Sequence, residues 1–224
     1  MKNKKIIAFI PVRKNSVGFK NKNRKLILNT LKFLNNLNYL EEIYISSDDS
    51  YYEKFINEKI IFIKRKKSLS KSTTSIKEVL KDFIEKNKIS KNTYIALFYV
   101  TIPFKNKTHY TKSINLINNK NILSLCSFIE SHVHPYNTYY LEKNRAFQYI
   151  KNNIFRRQDL SKAFMQHHYV CIFKSSILKY LNNELFSNKY TYPLIIENKF
   201  REKLIEIDSI EDFKMYKKIE NFTK

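Results

Sequence analysis

The chain has 224 residues and a mass of 27.1 kDa, a size that suits one globular domain. Hydrophobic residues make up 43% of the sequence, too many for a disordered protein. No apolar run approaches the roughly 20 residues of a membrane span, and the short run near the N-terminus lacks the features of a secretory signal. We therefore expect a cytoplasmic protein, a single domain spanning residues 1–224, with no membrane partner.

Net charge is +22, from 42 basic and 20 acidic residues, and such an excess can indicate nucleic-acid binding. Only seven of the basic residues are arginine, and the lysines are spread along the whole chain rather than collected in one patch. A solvated, lysine-rich surface explains this pattern, so we expect no nucleic-acid partner. The positive field would still draw anionic substrates towards a cleft.

The cysteines and histidines do not form a recognisable metal-binding pattern. Cys126 and Cys171 both fall in apolar stretches, which indicates buried, reduced thiols. None of the five histidines has the spacing of paired ligands on a helix.

Strand-like and helix-like segments alternate along most of the chain. Short apolar runs predict strands at 5–11, 42–46, 59–63, 93–100 and 122–128, a returning strand at 169–173 and a late strand at 204–207. Apolar residues at helical spacing predict helices at 26–39, 51–57, 75–86, 107–118 and 210–219. Ser72, Thr73 and Thr74 are available to cap the third of these helices. This alternation predicts an α/β protein with a Rossmann-like, three-layer arrangement, in which helices cover both faces of a mostly parallel sheet.

The alternation breaks between residues 131 and 162. This stretch holds Tyr136, Tyr139 and Tyr140 and a hairpin-like polar sequence at 142–144. We expect an excursion from the sheet here. It is either a subunit interface, which tyrosines suit, or an aromatic-rich flap on a monomer.

The loop after the first predicted strand is basic and contains Gly18, the only glycine of the chain. Its polar residues are Arg13, Lys14, Asn15, Ser16, Lys20, Lys22 and Asn23. Polyphosphate binding requires backbone N–H groups in a tight loop and cations that bridge the phosphates, and ligands bind at the carboxyl ends of parallel strands. The loop matches neither a Walker motif nor a dinucleotide fingerprint, so an ordinary basic surface loop remains the alternative.

Two carboxylates, Glu206 and Asp208, follow the late strand. Residues two apart in an extended segment lie on the same side, so these carboxylates can share a magnesium ion that also contacts phosphate oxygens. The alternative is a solvated acidic turn, in which Asp208 or Ser209 caps the closing helix.

In order, these segments resemble the CMP-N-acylneuraminate cytidylyltransferases, also called CMP-sialic acid synthetases. Ile10 to Asn23 resembles the family's I-P-A-R-x-x-S-K-G-x-x-x-K-N. The other matches, in chain order, are 46–48 with S-T-D, 65–73 with R-P-x-x-L-x-x-D-T, 97–105 with L-L-Q-P-T-S-P-L-R, 157–160 with R-Q-x-L-P and 206–208 with D-I-D.

The resemblance implies a nucleotidyltransferase fold, a homodimer that exchanges contacts through the excursion at 131–162, and a Mg²⁺-dependent reaction. In that reaction CMP passes from CTP to a nonulosonic, sialic-acid-like sugar acid and pyrophosphate is released. It implies that Arg13, Lys22 and Asp208 are catalytic and that Glu206 and Asp208 bind the metal. The implied nucleotide-binding residues are Arg13, Asn15, Ser16, Lys22, Asn23, Asp48 and Arg65. The implied residues for the acidic sugar are Tyr99, Thr101, Arg157 and Gln158.

The sequence departs from the family pattern at several of these positions. Val17 replaces the loop lysine, Tyr99 replaces the glutamine that contacts the sugar, and Ser72 replaces the aspartate of D-T. Residues 167–169, His-His-Tyr, stand where the family has N-G-A. These departures leave open a second interpretation, a repurposed or inactive relative that binds a nucleotide or a sugar without turnover.

Overall fold

The computed structural model describes residues 4–14 and 18–222. The strands of this part of the chain are β1 (Ile6–Pro11), β2 (Ile43–Ser47), β3 (Ile60–Lys64), β4 (Tyr94–Leu97), β5 (Ser124–Glu130), β6 (Tyr139–Glu142), β7 (Arg145–Gln148), β8 (Phe164–Lys174) and β9 (Thr191–Ile195). The α-helices are α1 (Lys22–Asn35), α2 (Ile76–Lys86), α3 (Lys107–Lys120) and α4 (Ile210–Phe222). None of these helices has the length and apolar character that a bilayer crossing requires.

Seven strands form the main sheet, in the order β3-β2-β1-β4-β8-β5-β9. The first four strands of the chain are parallel, β8 runs antiparallel to both β4 and β5, and β9 pairs in parallel with β5. The mostly parallel α/β sheet predicted from the alternation is therefore confirmed.

Helices cover both faces of this sheet because its central strands are apolar on both sides. In β1, Ile6 and Ile10 contribute to the core beneath α1, α3 and α4, whereas Ile7 and Phe9 contribute to the core beneath α2. Burial on both faces explains why the strand is a continuous apolar run rather than an alternating one. The result is the three-layer arrangement expected from the sequence.

The predicted late strand at 204–207 is wrong. This segment has no strand ladder, although the N–H of Ile207 donates to the carbonyl oxygen of Thr101 at 2.8 Å. Both edges of β4 are already paired with β1 and β8, so the segment crosses the loop after β4 and cannot extend the sheet. The strand β9, which the sequence did not predict, forms at the sheet edge, where Pro193 is tolerated.

Two smaller expectations also differ from the structure. Ser75, rather than residues 72–74, caps α2, and it forms a reciprocal capping box with Glu78. The predicted helix at 51–57 is a 3₁₀ segment, Ser50–Phe55.

A bulge in β8 changes the direction of the chain between His167 and Cys171. Cys126 lies opposite Cys171 with 3.6 Å between the sulfurs, but the next residue, Ser127, lies opposite His167. The buried Ser127 hydroxyl donates to the carbonyl of His167 and accepts the N–H of Val170 at 2.9 Å. One hydroxyl thus satisfies backbone groups that the interrupted ladder leaves unpaired.

The hairpin-like sequence at 142–144 is a hairpin. β6 and β7 pair with each other in a separate two-stranded sheet, and the turn residues Lys143 and Asn144 have φ of 46° and 64°. Positive φ at both central positions is the signature of a tight hairpin turn that matches the twist of the strands. Every residue of β6 is exposed, so the hairpin projects from the body of the protein as an arm.

Ser127→Ala is expected to lower the free energy of unfolding by about 1–3 kcal/mol, because it leaves a buried backbone N–H without a partner. The measurement is urea denaturation followed by far-UV circular dichroism. Ser161→Ala, at an exposed position, is the matched control and should stay within about 0.5 kcal/mol of the parent protein. Equal stability of the two variants would show that the bulge does not depend on the Ser127 hydroxyl.

Candidate active site

A cleft of about 470 Å³ opens at the carboxyl ends of β1 and β4. Its lining residues are Pro11, Arg13, Lys22, Asn23, Arg65, Leu69, Lys71, Ser72, Thr74, Ser75, Ile76, Val79, Tyr99, Val100, Thr101, His168, Asn183, Glu184, Glu206 and Asp208. A larger hollow of about 600 Å³ lies along the outer face of α3, but residues of that single helix form it. The cleft, in contrast, gathers charged side chains from distant parts of the sequence, as an active site of an open α/β sheet does.

An ion pair joins the basic loop to the paired carboxylates. Lys22 is the first residue of α1, and its buried Nζ donates to Oδ1 of Asp208 at 2.7 Å. The Asp208 carboxylate is itself largely exposed at the cleft, so its free oxygen remains accessible. The pair therefore places one cation and one anion side by side, where the basic loop meets the carboxylate segment before α4.

Gly18 makes this meeting possible. It has φ of 111°, and a Cβ atom built on it would lie 1.8 Å from the carbonyl oxygen of Asp208. A side chain at this position would thus overlap the backbone, and the left-handed conformation would be strained in any residue but glycine. The backbones of the loop and of the carboxylate segment are in direct contact at this point.

The carboxylates lie on the same side of their segment even though it is not a strand. Ile207 is completely buried between them, and both Glu206 and Asp208 line the cleft. Burial in the cleft, and then the negative charge of Asp208, raise the pKa of Glu206. The hydroxyl of Thr101 lies 3.5 Å from Oε1 of Glu206.

The helix cap does not use the Asp208 carboxylate. Ser209 accepts the N–H of Asp212 at 3.1 Å, and Asp212 accepts the N–H of Ser209 at 2.8 Å. Of the two caps considered for the closing helix, the structure therefore has the one formed by Ser209. The Asp208 side chain remains available to Lys22 and to ligands.

The chemistry of these carboxylates fits a magnesium ion. Neighbouring carboxylates concentrate negative charge, as the raised pKa of Glu206 indicates, and Mg²⁺ prefers oxygen ligands of this kind. The described residues contain no group of three or more His, Cys, Asp or Glu side chains that could enclose a metal. A magnesium ion held by Glu206 and Asp208 would thus need phosphate oxygens and water for its other ligands, as is usual in nucleotide sites.

Arg65 is a second cation fixed at the cleft. Its guanidinium donates to the hydroxyl oxygen of Ser46 at 3.2 Å and to the Ser46 carbonyl at 2.7 Å. Burial lowers its pKa to about 10, and the nearby Asp48 acts in the opposite direction. Arg65 therefore stays charged and rigidly placed at neutral pH.

Two other predicted nucleotide-binding residues shape the loop. Asp48 does not line the cleft; its carboxylate accepts the backbone N–H of Lys14 at 2.8 Å. Asn23 lines the cleft, and its side-chain amide donates to the carbonyl oxygen of Arg13 at 3.0 Å. Both contacts hold the start of the basic loop against the sheet.

The far wall of the cleft combines Tyr99, a predicted sugar-binding residue, with residues that the sequence did not single out as binding residues. Tyr99 and His168 meet edge to face with 5.8 Å between ring centroids, and Nε2 of His168 lies 3.0 Å from the Glu184 carbonyl oxygen. His168 reaches the cleft because of the β8 bulge, whereas Asn183 and Glu184 arrive from the loop before β9. Neither route leaves a local signal in the sequence.

Most of the predicted site residues come together in the cleft. Those lining it are Arg13, Lys22, Asn23, Arg65, Tyr99, Thr101, Glu206 and Asp208. Asn15 and Ser16 lie outside the described residues, as does the side chain of Arg157. Gln158 is exposed in the segment after the arm and does not line the cleft. The roles assigned to all of these residues stay predictions.

Gly18→Ala is expected to separate the basic loop from the carboxylate segment. Strain of about 1–3 kcal/mol corresponds to a loss of about fivefold to 150-fold in affinity for Mg·CTP. Isothermal titration calorimetry checks this, with Lys20→Ala, at an exposed position of the same loop, as the control that changes affinity much less. Parent-like affinity in the glycine variant would show that the close contact with Asp208 is not required for binding.

Comparisons with known proteins identify the family and the fold. A family model described as Cytidylyltransferase matches residues 7–224, nearly the whole chain. Comparison with curated protein sequences finds no match.

Among solved structures, CMP:2-keto-3-deoxy-manno-octonic acid synthetase complexed with CTP is similar with a TM-score of 0.66 and 10% identity, covering 98% of this chain and 100% of that one. The 2-C-methyl-D-erythritol 4-phosphate cytidylyltransferase of Francisella tularensis has a TM-score of 0.64 and 9% identity, covering 95% and 98%. The bifunctional IspDF of Campylobacter jejuni has a TM-score of 0.59 and 16% identity over 94% of this chain, which spans 53% of that longer protein. At such low identities these likenesses show the shared fold, and the family match shows that the chain belongs to the cytidylyltransferase family.

Proposed function

We propose that the protein transfers CMP from CTP to a nonulosonic, sialic-acid-like sugar acid and releases pyrophosphate. The observation that carries this proposal is the contact between Lys22 of the basic loop and Asp208 of the carboxylate pair, at 2.7 Å. Cations for a triphosphate and carboxylates for its metal ion are thus held in one cleft. The ordered likeness to the CMP-sialic acid synthetases, from Ile10 to Asp208, supports the choice of sugar.

In the proposed reaction, the anomeric hydroxyl oxygen of the sugar attacks the α-phosphorus in line. The new oxygen–phosphorus bond forms as the bond between the α-phosphorus and the bridging oxygen breaks, and pyrophosphate leaves with that oxygen. Arg13 and Lys22 stabilise the negative charge that develops on the leaving group, and the Asp208 carboxylate accepts the hydroxyl proton. This is catalysis by positioning and charge neutralisation.

Magnesium would be held by Glu206 and Asp208 together with oxygens of the triphosphate. When bound, it would supply Lewis-acid polarisation of the phosphoryl oxygens. The side chains that face it have their own tasks: Thr101 orients Glu206, and Lys22 orients Asp208.

A homodimer built through the arm is part of the proposal. Leu141 at the hairpin and Phe155 beyond it are 81% and 93% exposed, and stacked Tyr140 and Phe147 add apolar surface. Large apolar side chains that face solvent together usually mark an interaction surface. Arg157 and Gln158, in the segment after the arm, are proposed to bind the acidic sugar, in their own subunit or at the site of the partner.

A second candidate is a relative that binds the nucleotide without turnover. Two of the departures from the family pattern, Ser72 and Tyr99, lie on the wall of the cleft. They change the shape and polarity of the site that the acceptor would enter, whereas Arg13 and Lys22, the proposed cations for the triphosphate, are retained. Turnover, rather than binding, separates the two candidates.

Thermal-shift titration with CTP, ATP, GTP and UTP in the presence of Mg²⁺ should show selective stabilisation by CTP. A stabilisation of about 2.7 kcal/mol is expected at a CTP concentration 100 times the dissociation constant. Equal shifts with all four nucleotides would indicate a general polyanion effect of the basic surface and contradict the proposal.

Asp208→Asn should abolish pyrophosphate release and leave the melting temperature close to that of the parent protein. The assay uses a panel of sialic acid, other nonulosonic acids, 2-keto-3-deoxy-manno-octonic acid and 2-C-methyl-D-erythritol 4-phosphate. Glu202→Gln, an exposed position outside the cleft, is the control with full activity. CTP binding with no turnover on any acceptor would favour the non-catalytic relative, and near-full activity of the Asp208 variant would overturn the metal assignment.

Leu141→Asp should convert the proposed dimer to a monomer, because a carboxylate in the centre of an apolar interface loses its hydration without gaining a partner. Sedimentation velocity measures the change. Leu28→Asp is the matched control, since Leu28 is 52% exposed on α1 and lies outside the arm. A parent protein that sediments as a monomer at all concentrations would contradict the dimer.

A further inference from the structure

One buried amino group near the cleft has no part in the proposed CMP transfer. Lys105 lies in the loop between β4 and α3, and its ammonium group is buried although the residue as a whole is partly exposed. The group donates to the carbonyl oxygen of Tyr99 at 3.2 Å, to the hydroxyl oxygen of Thr30 at 3.3 Å and to the carbonyl oxygen of Ile102. All of these acceptors are neutral, and burial lowers the pKa of Lys105 to about 7.

The loop that Lys105 holds forms one wall of the cleft. Tyr99 and Thr101 both line the cleft, and the Thr101 carbonyl oxygen accepts the N–H of Ile207 at 2.8 Å. Ile207 is the residue between the paired carboxylates. The position of the loop therefore determines how far those carboxylates project towards the basic loop.

Apolar packing holds part of this loop, since Val100 and Ile102 are buried and Phe104 contacts Tyr216 with 5.3 Å between ring centroids. Its hydrogen bonds to α1 are fewer. Pro103 has no N–H to donate, and the hydrogen bond from the Ile102 N–H to the Tyr99 carbonyl is long, at 3.4 Å. The side-chain amide of Asn29, on α1, donates to the Pro103 carbonyl at 2.9 Å. Lys105 adds a second hydrogen bond to α1, through Thr30. It also links two carbonyl groups of its own loop, those of Tyr99 and Ile102.

Stability alone does not explain a lysine at this position. An ammonium group buried among neutral oxygens loses more hydration free energy than such hydrogen bonds return, and methionine could fill a similar space without that cost. Burial is the cause identified for the low pKa of Lys105, with no described carboxylate acting to raise it. Buried ionisable groups that contribute little to the stability of the fold are common at functional sites.

We propose that Lys105 is a positioning residue, which clamps the β4–α3 loop so that Thr101 holds the Ile207 backbone and the flanking carboxylates at the correct depth in the cleft. The expected effect on Mg·CTP binding rests on the proposed function. The expected effect on the backbone of segments 99–105 and 204–208 is independent of it.

Hydrogen–deuterium exchange of the ligand-free protein tests the clamp directly. In Lys105→Met, segments 99–105 and 204–208 should exchange about tenfold faster than in the parent protein, because the freed carbonyl groups regain water when the loop opens locally. Exchange in β2 at 43–47 should not change. The melting temperature should fall by no more than a few degrees, since only the loop is released.

Two further variants grade the effect. Thr30→Val removes one of the acceptors and should give a smaller acceleration of the same segments. Lys105→Arg keeps a buried cation with several donors and should restore most of the protection. By calorimetry, affinity for Mg·CTP should fall about tenfold in Lys105→Met and recover in Lys105→Arg.

The proposal is overturned if segment 204–208 exchanges in Lys105→Met as it does in the parent protein. It is equally overturned if exchange accelerates throughout the sheet together with a large fall in melting temperature, because Lys105 would then be a general structural residue. Failure of the parent protein itself to bind Mg·CTP would contradict the proposed function and would leave the exchange result to decide the role of Lys105.

Discussion

The site depends on the backbone of one short segment, 206–208, which is held from two sides. On one side, the N–H of Ile207 is bound to the carbonyl of Thr101; on the other, the carbonyl of Asp208 lies against Gly18. Both contacts are made by main-chain atoms, so they fix position without depending on side-chain rotamers. Residues from the two ends of the chain are thereby brought to contact distance.

The charged groups around this segment lose little hydration free energy without compensation. The cations Lys22 and Arg65 are buried, and each has oxygen partners: the Asp208 carboxylate for the first, and the hydroxyl and carbonyl of Ser46 for the second. The Asp208 carboxylate faces the cleft and keeps much of its hydration. An incoming triphosphate would thus meet cations that are already oriented, which reduces the ordering that binding requires.

The elements that follow from burial could be predicted from the sequence. The features that depend on contacts between distant segments could not. Strands β1 to β4 were predictable because continuous apolar runs buried on both faces are distinctive. The extended segment at 204–207 resembles such a run, but whether it pairs depends on whether an edge is free. The position of His168 depends on a bulge that Ser127 stabilises from the neighbouring strand. The need for glycine at position 18 depends on the backbone of Asp208, which is far away in sequence. The ordered motifs identified the cleft. The residues His168, Asn183 and Glu184 of its far wall could be found only from the fold.

Cys126 and Cys171 face each other across β5 and β8, completely enclosed, with 3.6 Å between their sulfurs. The hydrogen bond between the two thiols, and then burial, raise the pKa of the Cys171 thiol well above its usual range. Neither thiol can therefore react with an alkylating reagent while β5 and β8 remain paired. The chain has no tryptophan to report on its core, and these two thiols serve that purpose instead, since their rate of alkylation measures how often β5 and β8 separate.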